Sequence, residues 1–318
     1  MATVSLPLLP LSPARARWDW LELALDYRCN LRCLGCHACE DTGASLTTEA
    51  AIQLLRAGRQ GGCSRLWLGG GEPTLRPDLL RLVHAARALG YGEVLLQTNG
   101  MRLSYAAYRK AVIAAGVTEV RVNVKSHRAD VHDRLSRGEC HALLLAALEG
   151  LVAERVSLSA DFLLTRTTAP DLPDAVSFYS ARGVRRFVLW LLSASDVADD
   201  EVDSEVPRLS DLVPYLGAAA ERAREAGIGL QSLHTPPCTL PVELRSLFTP
   251  ASSFGLVVAG PDGQTFPLES SAFEGGAFLE GCGRCLARPS CGGPRADYLR
   301  IHGAADFVPV MEHLDPGR

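Results

Sequence analysis

Three cysteines stand within one short run, Cys29-Asn30-Leu31-Arg32-Cys33-Leu34-Gly35-Cys36. Thiolates at this C-x3-C-x2-C spacing can wrap one corner of an iron–sulfur cube, in which each iron needs one ligand from outside. Three cysteines leave one iron open to an exogenous ligand. A zinc site would normally show two separated Cys/His pairs, and this loop does not. A second set lies near the C-terminus: Cys282, Cys285 and Cys291 at C-x2-C-x5-C, with Cys238, set among prolines and leucines, as the natural fourth member. Four thiolates close a [4Fe–4S] cluster completely. They equally suit a tetrahedral zinc ion, and the spacing leaves both readings open.

Stepping along the chain, a hydrophobic pattern alternates between strand and helix. Strands are expected over 21–26, 64–68, 93–98, 119–125, 156–164 and 184–192, and helices start near Thr47, Pro77, Ser104, Glu139 and Leu172. Strands alternating with helices imply parallel strands. Six units predict an α/β fold, a partial (βα)6 TIM-like barrel, with a cysteine-rich extension after it. Residues 1–20 read as a Pro-rich lead-in, 21–206 as the barrel and 207–318 as the extension. Within these, 196–206 is an acidic linker or lid, 207–227 a long helix, 242–248 a short helical patch, and 256–268 a hairpin turning at Pro261-Asp262-Gly263.

In parallel barrels the working residues gather at the C-terminal strand ends. The cysteine loop follows the first strand. Gly69-Gly70-Gly71-Glu72-Pro73 follows the second, where glycines let the backbone come close to a ligand. Gln97-Thr98-Asn99-Gly100 ends the third, and Asn123-Val124-Lys125-Ser126-His127 ends the fourth. Arg166 stands just past the fifth; it can pair with a carboxylate, though a solvated surface role is the default.

With these segments in place, the chain resembles the radical S-adenosylmethionine (radical SAM) superfamily. The resemblance implies that Cys29, Cys33 and Cys36 hold a [4Fe–4S] cluster whose open iron is chelated by the methionine part of SAM. Gly70, Gly71 and Glu72 match the family's GGE motif, implying a place for the SAM ammonium. Asn99 matches T-N-G near the cluster. Asn123 is the carried-over candidate for the SAM ribose or carboxylate, with Lys125 or Ser126 sharing that task and Arg166 as a further carboxylate partner. Many relatives carry an aromatic residue where this chain has Gly35, so adenine stacking must come from elsewhere, with His37 a candidate. Cys39 is expected to be unligated, because a fourth thiolate would close the open iron. Cys63 reads as a small core hydrophobe. Cys140, opening a helix near the barrel mouth, reads as buried, with hydrogen-atom return to a substrate radical as its functional alternative. Val131-His132-Asp133-Arg134 is similar to an H-D stretch of peptide-modifying relatives, with His132 a helix-start residue.

The C-terminal cysteines and the run Cys291-Gly-Gly-Pro-Arg-Ala-Asp-Tyr-Leu resemble SPASM or twitch extensions. That favours a second, auxiliary [4Fe–4S] cluster over zinc. The resemblance implies reductive cleavage of SAM to a 5′-deoxyadenosyl radical, which takes a hydrogen atom from a substrate. The first expectation is a maturase of ribosomally made peptides. Alternatives are radical modification of a small molecule or cofactor precursor and, outside enzymes, an iron–sulfur electron carrier or scaffold, which would not need a GGE site. Expected partners are the substrate, a reductant such as flavodoxin or ferredoxin, and a separate leader-binding protein, since no N-terminal module of roughly 80–100 residues precedes the barrel.

Composition agrees. The 318 residues exceed one small domain, and 47% are apolar, enough for a sizeable core. A net charge of −4 with no long basic run gives no footprint for nucleic acid. The apolar N-terminal run is broken by Pro7, Pro10 and Pro13, so it reads as neither membrane span nor signal peptide. Ten clustered cysteines in a chain with its own core indicate ligation in a reducing cytoplasm rather than disulfides.

Overall fold

The computed structural model describes residues 18–36, 43–194 and 200–311. The lead-in up to residue 17, His37 and Cys39, and most of the sequence before Asp200 in the acidic linker lie outside these. Nine strands form one open sheet: β1 (Trp20–Ala24), β2 (Arg65–Gly69), β3 (Glu93–Thr98), β4 (Glu119–Val124), β5 (Ser157–Leu164), β6 (Arg186–Leu191), β7 (Gly229–Ser232), β8 (Leu256–Ala259) and β9 (Thr265–Pro267). Their order is β7-β6-β5-β4-β3-β2-β1-β8-β9. The sheet is mostly parallel and does not close, as a partial TIM-like barrel requires.

The helices are α1 (Thr48–Gln60), α2 (Leu79–Ala88), α3 (Ala106–Ala115), α4 (Ala129–Ser136), α5 (His141–Ala153), α6 (Leu172–Ser180), α7 (Asp200–Glu205), α8 (Leu209–Ala226) and α9 (Ala296–His302). The chain packs as two compact units. The described residues of the first run to Asn123 and include Asp133–Ser159 and Phe254–Leu268; the second holds Val124–His132, Ala160–Ser253 and the described residues from Glu269.

In the first unit, Leu21 and Leu23 of β1 pair with Leu66 and Leu68 of β2. All four are fully buried, and Leu54 and Leu55 of α1 are buried with them. Thr47 caps α1, its hydroxyl accepting from the Ala50 N–H at 3.1 Å. The predicted hairpin is β8–β9, turning at Gly263 (φ +83°). In the second unit, β6 pairs parallel with β7. Phe162, Phe187, Leu189 and Tyr179 are fully buried there.

The structure departs from the sequence pattern at several points. Six strand–helix units undercount the sheet: β7 is only Gly-Leu-Gln-Ser, too short and polar to show a period, and β8 pairs parallel with β1 as well as forming the hairpin. Pro77 does not open the second helix. Asp78 precedes α2 without capping it, because Arg76 and Thr48 occupy its carboxylate. Ser104 caps no helix either; its hydroxyl donates to the Met101 carbonyl and closes a short turn. The acidic linker contains α7, whose first turn carries Asp200, Glu201 and Asp203, favourable at a helix N-terminus. Two further anchors hold it: Arg300 pairs with Asp203, and Glu205 accepts from Thr167. Helix α4 begins at Ala129, three residues before His132, which the sequence reads as a helix-start residue.

Candidate active site

The cysteine loop leaves the end of β1 through a knot of charge. Asp26, buried, accepts from the Arg28 backbone and guanidinium at 2.8–3.2 Å and lies 3.5 Å from Arg76. Arg76, also buried, donates to Ser45 and grips Asp78 at 2.8 and 2.9 Å. Beyond the knot the leucines turn inward and the thiols do not. Leu31 and Leu34 are buried, whereas Cys29, Cys33 and Cys36 are all partly exposed free thiols. The Leu34 N–H donates to the carbonyl of Leu135 at the end of α4, 2.9 Å away. Gly35 stands at φ +64°, and the Cys36 N–H closes the turn onto the Cys33 carbonyl. A left-handed backbone disfavours side chains with a Cβ, which accounts for glycine at this position.

The glycine turn after β2 lies directly against this loop. The Gly71 N–H donates to the Asp26 carbonyl at 2.7 Å, and the Glu72 N–H to the Arg28 carbonyl at 2.8 Å. A Cβ on Gly71 would fall 2.2 Å from the Arg28 carbonyl oxygen; one on Gly70, itself at φ +104°, would fall 2.5 Å from that of Asp26. The glycines therefore serve the approach of one loop backbone to another.

Glu72 is 1% exposed and turned inward. Its Oε1 accepts from the Thr74 N–H and hydroxyl and from the Thr98 hydroxyl; its Oε2 accepts from the Asn99 N–H at 2.7 Å. Burial raises its pKa, and the hydrogen bonds from Thr74, Asn99 and Thr98 only partly oppose this. The carboxylate thus ties the glycine turn to the end of β3. The Asn99 side chain extends the tie to the cysteine loop by donating to Asn30 Oδ1 at 2.8 Å.

The Cys29 thiol is pushed up to about 11, by burial first, with the Leu31 N–H on its sulfur opposing the rise and Glu72, Cys33 and Cys36 adding to it. A bound metal must displace that proton. Three soft donors on one loop, free of disulfides and with a backbone N–H on one sulfur, fit an iron–sulfur cluster.

The other predicted residues separate. Asn123 is partly exposed at the end of β4 in the first unit. In the second unit Lys125 and Ser126 are buried. The Ser126 hydroxyl donates to Asp171 at 2.5 Å and accepts from the Arg128 N–H, so it braces the turn before α4. Arg166 is exposed, its guanidinium on the carbonyl of Val206. Cys140 is 1% exposed and precedes α5, its N–H on Asp133 at 2.9 Å. Cys63 is fully buried. Thr98 was read only as part of T-N-G, and Asp26, Arg28 and Arg76 were missed. Their only signal was position beside the motifs.

In the second unit, Cys238, Cys282, Cys285 and Cys291 are partly exposed free thiols. Cys238 is pushed up to about 12, by burial first, with Cys291, Cys285 and Cys282 adding to the rise, so the other three thiols are within electrostatic reach of it. Backbone N–H groups reach two of the sulfurs: Gly293 to Cys291 and Val310 to Cys285, both at 3.3 Å. Arg295 anchors the tail by donating to the Leu191 and Leu192 carbonyls and to Asp297.

Residues 26–179 match the model of the radical SAM superfamily. The chain thus carries a radical SAM domain over these residues. Radical SAM proteins use a [4Fe–4S] cluster and SAM, and the match begins at Asp26, where the cysteine loop is tied down. Among sequence relatives, a probable GTP 3′,8-cyclase of Sulfurisphaera tokodaii is 29% identical over 167 residues, 52% of this chain and 53% of that protein. The GTP 3′,8-cyclase of Lactiplantibacillus plantarum is 31% identical over 126 residues, 38% of this chain and 37% of that one. This chain thus spans about half the length of the first relative and less of the second. Among solved structures, Streptococcus suis SuiB bound to S-adenosylmethionine superposes with a TM-score of 0.68 at 13% identity, over 92% of this chain and 76% of SuiB. Native anSMEcpe with bound AdoMet and Cp18Cys peptide gives 0.60 at 15% identity, over 93% of each chain. These identities carry the fold. No helix among the described residues is long and apolar enough to cross a membrane.

Proposed function

We propose that this radical SAM enzyme holds its cluster on Cys29, Cys33 and Cys36 and binds SAM over the glycine turn, with Asn99 and Asn123 beside it. The observation that carries this reading is the trio of partly exposed thiols on a loop whose leucines are buried. When bound, cluster and SAM supply the hard chemistry, reductive cleavage of the sulfonium to methionine and a 5′-deoxyadenosyl radical that takes a hydrogen atom from the substrate. The chain's own residues do the positioning. The Asp26–Arg76–Asp78 knot fixes the loop's entrance, and Glu72 locks the glycine turn to the strand-three end. Residues 207–318 are read as an auxiliary extension, with Cys238, Cys282, Cys285 and Cys291 taking a second [4Fe–4S] cluster, or zinc. Cys140, buried at the start of α5, is kept as a candidate hydrogen-atom donor; Lys125, Ser126 and Arg166 are kept as candidates for SAM or substrate carboxylates.

A peptide is the preferred substrate, in a maturase whose leader a separate protein holds. The fold likeness to anSMEcpe with peptide, and to SuiB bound to its precursor peptide SuiA over 94% of this chain, supports it. A small-molecule precursor is the second reading, supported by sequence likeness to GTP 3′,8-cyclases over part of the chain. A reductant such as flavodoxin or ferredoxin, in the cytoplasm, completes the scheme. The test is anaerobic reconstitution with dithionite and SAM: 5′-deoxyadenosine is expected, and a mere electron carrier forms none. Deuterium passing from a labelled peptide into 5′-deoxyadenosine selects the peptide; transfer only from a labelled nucleotide selects the small molecule.

A further inference from the structure

In the second unit, a buried polar pair stands just past β7 that neither the cysteine motifs nor the SAM residues use. The His234 and Glu274 side chains are 4% and 3% exposed, with Nε2 and Oε2 3.4 Å apart. They lie within ion-pair distance, but their orientation gives no hydrogen bond between them. Among the described residues neither ring nitrogen of His234, nor Oε2 of Glu274, has a hydrogen-bond partner. Native proteins leave few such atoms unsatisfied, and each calls for an explanation.

Both residues line a chamber of about 20 Å³, together with Leu191 at the end of β6 and Cys291. That volume has room for one water or a group of similar size. The chamber's other polar side chains are engaged: Arg295 with Asp297 and two carbonyls, Tyr298 with Asp306 and the Leu209 N–H. The imidazole is held in place by Trp190, whose ring meets it edge-on at 5.4 Å and whose Nε1 donates to Asp161 at 2.8 Å. The chamber therefore offers one imidazole and one carboxylate, both oriented and both free to bond.

We propose that His234 and Glu274 form a subsite for a substrate hydroxyl, or another small group that both donates and accepts a hydrogen bond. A carboxylate accepts the donated proton, and the imidazole supplies the complementary donor or acceptor. Location at the carboxyl ends of β6 and β7 suits substrate contact in a barrel. That role rests on the enzyme reading above, but the subsite itself can be tested without any turnover, so either can fail alone.

The test uses anaerobic crystals of the metal-loaded full chain, soaked in methanol or pressurised with xenon. Methanol oxygen is expected between His234 and Glu274, and xenon is expected to stay out, as an apolar atom satisfies neither group. His234→Phe, with metal content at the Cys238 set unchanged, is expected to lose the methanol. A water that methanol does not displace would mark a structural water and overturn the proposal. So would a direct His234–Glu274 hydrogen bond with the chamber shut, or methanol retained in His234→Phe.

Discussion

Glu72 shows what a single side chain contributes. Two backbone N–H groups, of Thr74 and Asn99, point at its opposite oxygens. Glutamine has one acceptor oxygen, so Glu72→Gln must orphan one of them, at a cost of about 1–3 kcal/mol. A lower denaturation midpoint of the metal-free protein with unchanged slope is the expected result. Gly35, at φ +64°, makes a similar case. Gly35→Ala is expected to lose about 1–2 kcal/mol of loop stability, read as faster iron loss to a chelator. At this scale the sequence was partly legible. The GGE and T-N-G motifs lie against the cysteine loop, but the inward turn of Glu72 depends on Thr74 and Thr98 closing round it. Spacing reported the glycine at 35 only as a departure, and the turn supplied its reason.

The elements around the site act through close backbone approach. Gly71→Ala would drive a methyl into the Arg28 carbonyl, so it is expected to lose the iron of the N-terminal loop, about four atoms per chain. Gly283→Ala, with nothing within 4 Å, is expected to retain it. Arg76 holds the loop's entrance, and Arg76→Met leaves the buried Asp26 and the half-buried Asp78 with fewer partners, at a cost of about 3 kcal/mol. Burial alone would raise the Asp78 carboxyl, but hydrogen bonds from Arg76 and Thr48 more than offset this and hold it below the ordinary range. Its contribution is therefore present above about pH 4 and is lost as acidification passes below that value. Acid titration of stability should show this loss diminished in Arg76→Met. Strands with alternating or continuous apolar residues could be read from sequence, β3 to the residue. Two helix starts were read to the residue, Thr47 as the cap of α1 and Leu172 at α6; those of α2 and α3 were not, because Asp78 and Ser104 carry cap chemistry that arginine and a local turn had already claimed. Strand β7 has too few apolar residues to show any period.

For the molecule as a whole, two sets of thiols belong to two separately packed units. Reconstituted protein should hold about eight iron atoms, and Cys291→Ala about four; about four iron with one zinc in the parent would assign the second site to zinc. The alternating pattern disclosed a mostly parallel sheet, and the cysteine spacing supplied the two donor sets proposed above. The His234–Glu274 pair left no trace in spacing, because forty residues of chain separate its members. The central claim is that one iron of the cluster on Cys29, Cys33 and Cys36 is left for SAM. Electron paramagnetic resonance of the reduced Cys291→Ala protein, where that cluster is the main signal, tests it most directly. The signal is predicted to change on adding SAM; a spectrum identical with and without SAM would contradict the account.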